Sequence, residues 1–251
     1  MDIANLMYVV GAVLILPAIL FSLFAQFRVM SSFNNFGQIM SAKGITGAQL
    51  ARQLLDQNGC SHVGLELSRG HLSDHYDPRT RTVRLSQEVY HTPSLAALGV
   101  AAHEVGHAIQ HQQKYAPLML RMLVIRSTSL INRMLTPLIF ISLIASLFVT
   151  ADTIMGMPAQ DFWFFLVIGL CVLFTISFVI NLITLPTEYN ASKRARELLR
   201  TGNYLFDEQE YAAVAKVLNA AALTYVAALL VSMAQMLRFL GLLLMMNRNR
   251  R

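Results

Sequence analysis

Four long stretches of this chain carry no charged residue: Met7 to Phe24, Met134 to Ala151, Phe162 to Leu185 and Val217 to Leu237. No other feature restricts the fold as strongly. Each reaches the ~18 to 25 residues that a bilayer-spanning helix requires. One such run suits the core of a soluble protein, but four in 251 residues do not. Charged residues make up 14% of the chain, against ~25% in an ordinary soluble domain. The expected fold is a mainly α membrane protein with about four transmembrane helices.

The first run reads as an anchor that stays. Its leading segment, Met1 to Asn5, lacks Lys and Arg, and no small-x-small cleavage site clearly follows. Pro17 within it removes one backbone hydrogen bond. Residues 1–27 form this anchor, and from Arg28 the chain is polar to about residue 116. Thr46 to Asn58 reads as a short amphipathic helix capped by Thr46 and ended by Gly59. Val63, Leu65 and Leu67 then alternate with polar or small residues, and Val83 and Leu85 flank Arg84 beyond the turn Asp77-Pro-Arg-Thr80. This predicts a short antiparallel sheet, with Arg81 to Ser86 equally readable as an edge available to a substrate backbone or as an ordinary strand.

After that sheet comes His103-Glu104-Val105-Gly106-His107, inside an Ala-rich run preceded by Thr92-Pro93. Thr92 is the expected N-cap and Pro93 the first helical residue. Positions four apart share a helix face, so both imidazoles reach one metal ion. In a His-Glu-x-x-His pattern the two His bind zinc and the Glu acts as general base toward a water. Five residues alone match by chance. Against a merely buried helix stands Glu104, whose carboxylate is costly to bury without a charge partner. His111 falls one more turn on, but three His at this spacing drift by ~80° along a straight helix. The segment 28–116 is thus expected to be a small zincin-like α+β unit.

A two-His site needs a further protein ligand and an open position. Glu188, just past the third apolar run, is the residue-level choice, and a helix-start Glu capped by Thr187 is an equal reading of it. Residues 117–185 are expected to hold a surface helix with Arg121, Arg126 and Arg133 followed by two spans. Residues 186–216 form a basic helix carrying Glu188, and residues 217–251 a last membrane helix with a basic tail. The small-residue faces of 219–234 permit helix association, including a homo-oligomer. The two cysteines, Cys60 and Cys171, do not make a structural disulfide, since Cys171 lies inside an apolar run.

Several stretches together resemble the YugP-like bacterial membrane zinc metallopeptidases. They are Gly70-His-Leu-Ser-Asp-His-Tyr-Asp-Pro-Arg79, Arg84-Leu-Ser86 with Val89-Tyr90, Ala101-Ala-His-Glu-Val-Gly-His-Ala-Ile-Gln110, Glu188-Tyr-Asn-Ala-Ser-Lys-Arg-Ala195 and Ala220-Ala-Ala-Leu-Thr-Tyr-Val-Ala-Ala228. The resemblance runs nearly the length of the chain. It implies one zinc held by His103 and His107, with Glu104 as the base. The family is similar in logic to the HtpX and CAAX-type membrane peptidases, whose third ligand opens a Glu-x-x-Ala-Asp segment. That likeness implies Glu188 as third ligand. Ser192 stands where those relatives have Asp, so Asn190 and Ser192 are both open as the groups that orient the His ligands. His75, Tyr76 and Tyr189 are candidate oxyanion donors.

The expected function is zinc-dependent hydrolysis of peptide bonds in membrane or membrane-proximal proteins. The alternative is a non-catalytic membrane scaffold with a structural zinc, which would ordinarily close with four ligands, often Cys. The formal charge of +6 points to loops beside anionic headgroups and not to nucleic acid. Partners are therefore the lipid bilayer and a protein or peptide substrate. Lys and Arg follow the first and third runs, whereas residues 152–161 carry only acids. The positive-inside rule then gives a multi-pass protein of the bacterial cell membrane with its site in the cytoplasm.

Overall fold

The computed structural model describes residues 2–124, 133, 137, 141, 153–154 and 157–249. Its elements are α1 (Ile3–Gly37), α2 (Gly47–Gln57), β1 (Gly64–Ser68), β2 (His75–Asp77), β3 (Thr82–Ser86), α3 (Gln87–His91), α4 (Leu95–Gln112), β4 (Thr153–Ile154), β5 (Met157–Pro158), α5 (Ala159–Thr201) and α6 (Glu208–Asn249). Residues 116–124 are also helical. The fold is mostly helical with one small three-stranded sheet.

Two units divide the chain. The first comprises Met1–Ser22, Leu123–Leu182 and Ala227–Arg251 and holds the most apolar parts of the long helices. Among the described residues three helices are long and apolar enough to cross a membrane: α1, α5 and α6. The second expected span, Met134–Ala151, lies outside the described residues apart from 137 and 141, and the expected surface helix is described to residue 124 and at 133. In this unit α1 and α6 meet backbone to backbone. A Cβ on Gly11 would collide with Ala234 and Arg238, and one on Gly241 with Ala4 and Tyr8. Small residues allow such close approach where apolar burial against lipid gives little driving force. Phe174 stacks on Phe239 with rings 5.4 Å apart, and Asn181 Nδ2 donates to Ser232 Oγ at 3.2 Å.

The second unit comprises Leu23–Met122 and Ile183–Val226. Its core joins Leu50, Leu54 and Leu55 of α2, Val83 and Leu85 of β3, Leu98 and Val105 of α4, and Leu199 of α5. Helix α2 starts with a reciprocal capping box between Thr46 and Gln49. It gives way at Gly59, whose φ of +71° suits glycine.

Three expectations are corrected here. The sheet is mixed and not antiparallel: its order is β1-β3-β2, with β1 parallel and β2 antiparallel to β3. Alternation fixes which face a strand buries but not its direction. The chain leaves β1, forms β2, and turns through Asp77-Pro78 to insert β3 between them. β3 is therefore central, with both Val83 and Leu85 fully buried, and the free edges belong to β1 and β2. Helix α4 is capped by Ser94, whose side chain accepts from Ala97 N at 3.2 Å. Thr92 instead ends the short helix α3, and the Pro93 carbonyl accepts from Ser41 N at 2.8 Å.

Candidate metal centre

Helices α4 and α5 bring the site together within the second unit. Gly106 makes this possible, because a Cβ there would stand 2.8 Å from the Ala191 carbonyl oxygen of α5. Helix α5 runs without a break through Pro186, so Glu188 lies inside a helix and not at its start. Thr187 is not a cap; its hydroxyl donates back to the Ile183 carbonyl at 3.2 Å.

His103, His107 and Glu188 are the described group able to hold a metal ion, with ligand atoms all within 4.8 Å of one another. His103 Nε2 is 3.2 Å and His107 Nε2 is 3.4 Å from the same oxygen, Glu188 Oε2. The other nitrogen of each ring faces a different partner. His103 Nδ1 lies 3.1 Å from Ser192 Oγ, and His107 Nδ1 lies 3.0 Å from Gln110 Oε1. An amide oxygen only accepts, so His107 Nδ1 donates to it, and Nε2 is the ring nitrogen turned toward Glu188 and available to a metal. The donor set, two imidazole Nε2 atoms and one carboxylate oxygen, fits zinc with an open position.

Gln110 is fully buried and donates through Nε2 to the Thr187 carbonyl at 2.8 Å and to Asn190 Oδ1 at 2.9 Å. Asn190 also accepts from Arg194 Nε at 2.7 Å. Of the two residues expected to orient the rings, Ser192 lies against one ring directly and Asn190 meets the other only by way of Gln110. The remaining Glu188 oxygen, Oε1, accepts from Arg121 Nη1 at 2.5 Å. Burial alone would push the Glu188 carboxyl up, but His107 and His103 hold it well below its ordinary range. Burial likewise opposes charge on His107, and the Glu188 carboxylate outweighs it and raises that imidazole.

Glu104 is nearly buried beside this group, and its Oε2 accepts from the backbone N–H of Tyr76 on edge strand β2 at 2.9 Å. The Tyr76 hydroxyl points elsewhere, to His111 Nδ1 at 2.8 Å. Burial pushes that phenol up to about 12, so it stays protonated. His111 is engaged there and is absent from the converging group, as its helical drift predicts. His75 is exposed with Nδ1 on the Ser73 carbonyl, and Tyr189 is 47% exposed. Among the described residues no hydrogen bond joins either to the three converging side chains. The sequence reading missed Gln110, Arg121 and Tyr225, whose hydroxyl faces Glu188. Gln110 had a signal: it follows His107 by three, on the same helix face.

Residues 11–244 match the family described as "Putative neutral zinc metallopeptidase". The chain is 41% identical over 232 residues to the "Putative membrane protease YugP" of Bacillus subtilis (strain 168), covering 92% of this chain and 95% of that protein. No solved structure gives a significant match. With the family matched over most of its length, the chain belongs to the YugP-like neutral zinc metallopeptidases, a membrane family.

Proposed function

We propose that the protein is a membrane-integrated, zinc-dependent endopeptidase that cleaves membrane or membrane-proximal proteins on the cytoplasmic side. The observation that carries this reading is the meeting of two imidazole Nε2 atoms on one Glu188 oxygen, with Glu104 held alongside by Tyr76 N. His103, His107 and Glu188 would hold one zinc. Zinc supplies a Lewis acid there, which acidifies a water and polarises a carbonyl. Glu104 takes the proton from the attacking water and returns it to the leaving amine. The Tyr76 N–H keeps one Glu104 oxygen fixed, so the other faces the reacting water. The catalytic unit joins residues 28–116 to the helix of 186–216, with Arg121 and the first part of α6 beside them, and the apolar stretches within residues 1–27, 117–185 and 217–251 serve the membrane.

A three-donor set leaves a coordination position free, which favours catalysis over a structural zinc in a scaffold. Zinc per chain in detergent-purified wild type, measured beside Glu188→Ala, tests the ligand set. Near-stoichiometric metal that falls sharply in the variant is expected; equal metal in both removes Glu188. The Glu104→Gln protein should retain zinc and lose chelator-sensitive proteolysis. Wild-type cleavage by that variant would overturn the assignment of the base.

A further inference from the structure

A cavity of about 240 Å3 opens directly beside His103 and Glu104 in the second unit. Its walls are largely apolar: Val29 and Phe33 from α1, Leu72, Val100 from α4, and Leu218 and Ala221 from α6. The polar groups along it have partners. Asp74 Oδ1 accepts from Ser86 N at 2.7 Å, and its Oδ2 lies 3.1 Å from Ser86 Oγ. Thr224 Oγ1 donates back to the Ala221 carbonyl at 2.7 Å, and the hydroxyl of Tyr225, also in the wall, faces Glu188. What these leave for a ligand is an apolar surface that ends at the metal-binding group.

Size narrows the occupant. Sites for whole small ligands usually enclose ~300 to 1,000 Å3, and this cavity falls below that range while holding one large side chain comfortably. Leu72 adds a second observation. It sits at φ +50°, a left-handed conformation that a branched side chain adopts at a cost, and its side chain forms part of the wall. Glycine would relieve the backbone there but leave the wall open.

We propose that this cavity is a substrate subsite that selects a bulky apolar side chain, of the size of Leu, Met or Phe, on a residue flanking the scissile bond. The inference rests on the peptidase reading and adds its substrate class. Two walls belong to α1 and α6, the helices that carry the runs Met7–Phe24 and Val217–Leu237. Segments leaving a bilayer are rich in such side chains, so the subsite matches substrates presented at the membrane surface.

The test uses the full-length, zinc-loaded protein in detergent and two peptide hydroxamates that differ only in bearing a Leu or a Gly side chain beside the zinc-binding group. Calorimetry reads their binding without turnover, and peptides varied at the residues flanking the bond read cleavage. The Leu compound is expected to bind roughly 10-fold tighter or more. Ala221→Phe, which fills the cavity, should erase that preference while the Gly compound still binds. Leu72→Gly keeps the backbone geometry and should shift preference toward larger side chains. Equal binding of the two hydroxamates to wild type, with cleavage blind to the flanking residues, would overturn the subsite and leave the peptidase intact. Failure to bind either compound or to cleave any peptide would remove the peptidase reading, and this inference with it.

Discussion

Gln110 accepts a hydrogen bond from His107 Nδ1 through its Oε1, at 3.0 Å, one helical turn along α4. Its amide nitrogen crosses to α5 and donates to the Thr187 carbonyl and to Asn190. One buried side chain therefore sets the ring angle of one proposed ligand and ties that ligand's helix to the helix of another, Glu188. Partners of this kind typically contribute ~10 to 100-fold in metal affinity. Gln110→Leu is expected to lower zinc affinity by roughly that factor, measured by competition with a chromogenic chelator. Asn190→Ala, one hydrogen bond further out, should lose less. An unchanged affinity for Gln110→Leu would mean that the ring is held by packing alone.

Gly106 offers a test whose sign decides between two effects. In an exposed helix Ala is more stable than Gly by about 0.5–1 kcal/mol. Here an added Cβ would lie 2.8 Å from the Ala191 oxygen and 3.3 Å from its Cα, so the helices must separate. Overpacking of this type costs about 1–3 kcal/mol. Gly106→Ala should therefore destabilise the protein in thermal unfolding and weaken zinc binding, because Glu188 moves away with α5. A gain in stability would show that the contact has slack.

The helices and the His-Glu-x-x-His group were legible because each depends on local spacing. Uncharged length reads as a span, and a four-residue interval places two rings on one face. Sheet direction was not legible, since Val83 and Leu85 alternate alike in parallel and antiparallel strands. The cap of α4 was missed because Thr92 is equally good at ending α3. Glu188 as a partner of His103 emerged from family likeness, for the residues alone left it equal to a helix-start acid. Structure places it mid-helix because α5 continues through Pro186. Arg121 could not be found from spacing, as its meeting with Glu188 spans 67 residues of chain.

Arg121 occupies Glu188 Oε1 and leaves Oε2 for the histidines. The guanidinium thus fixes which carboxylate oxygen is free for a metal. Arg121→Met should release Glu188 to rotate. Zinc affinity is expected to fall, and the chelator-treated protein should melt at a lower temperature, since a buried carboxylate loses its permanent cation. Arg121→Lys, which keeps the charge but not the planar donor geometry, should lie between them. Zinc titrations and melting curves on the three proteins check this order, and identical values for all three would contradict it.

His111 supplies a pH dependence separate from the metal group. Burial first, then the neighbouring Arg81 and His62, hold its imidazole below the ordinary value, which suits a neutral ring accepting from the Tyr76 hydroxyl. The unfolded chain then takes up the proton before the folded one does. Stability from this group is complete above the unfolded value of about 6.5 and is lost as pH falls through it toward the lower folded value. His111→Gln keeps a partner for Tyr76 but cannot be protonated. Between pH 7 and pH 5, the melting temperature of chelator-treated wild type should fall more steeply than that of His111→Gln; the shared His103, His107 and Glu188 contributions cancel in the difference. Parallel slopes for the two proteins would show that His111 keeps an ordinary pKa in the folded state.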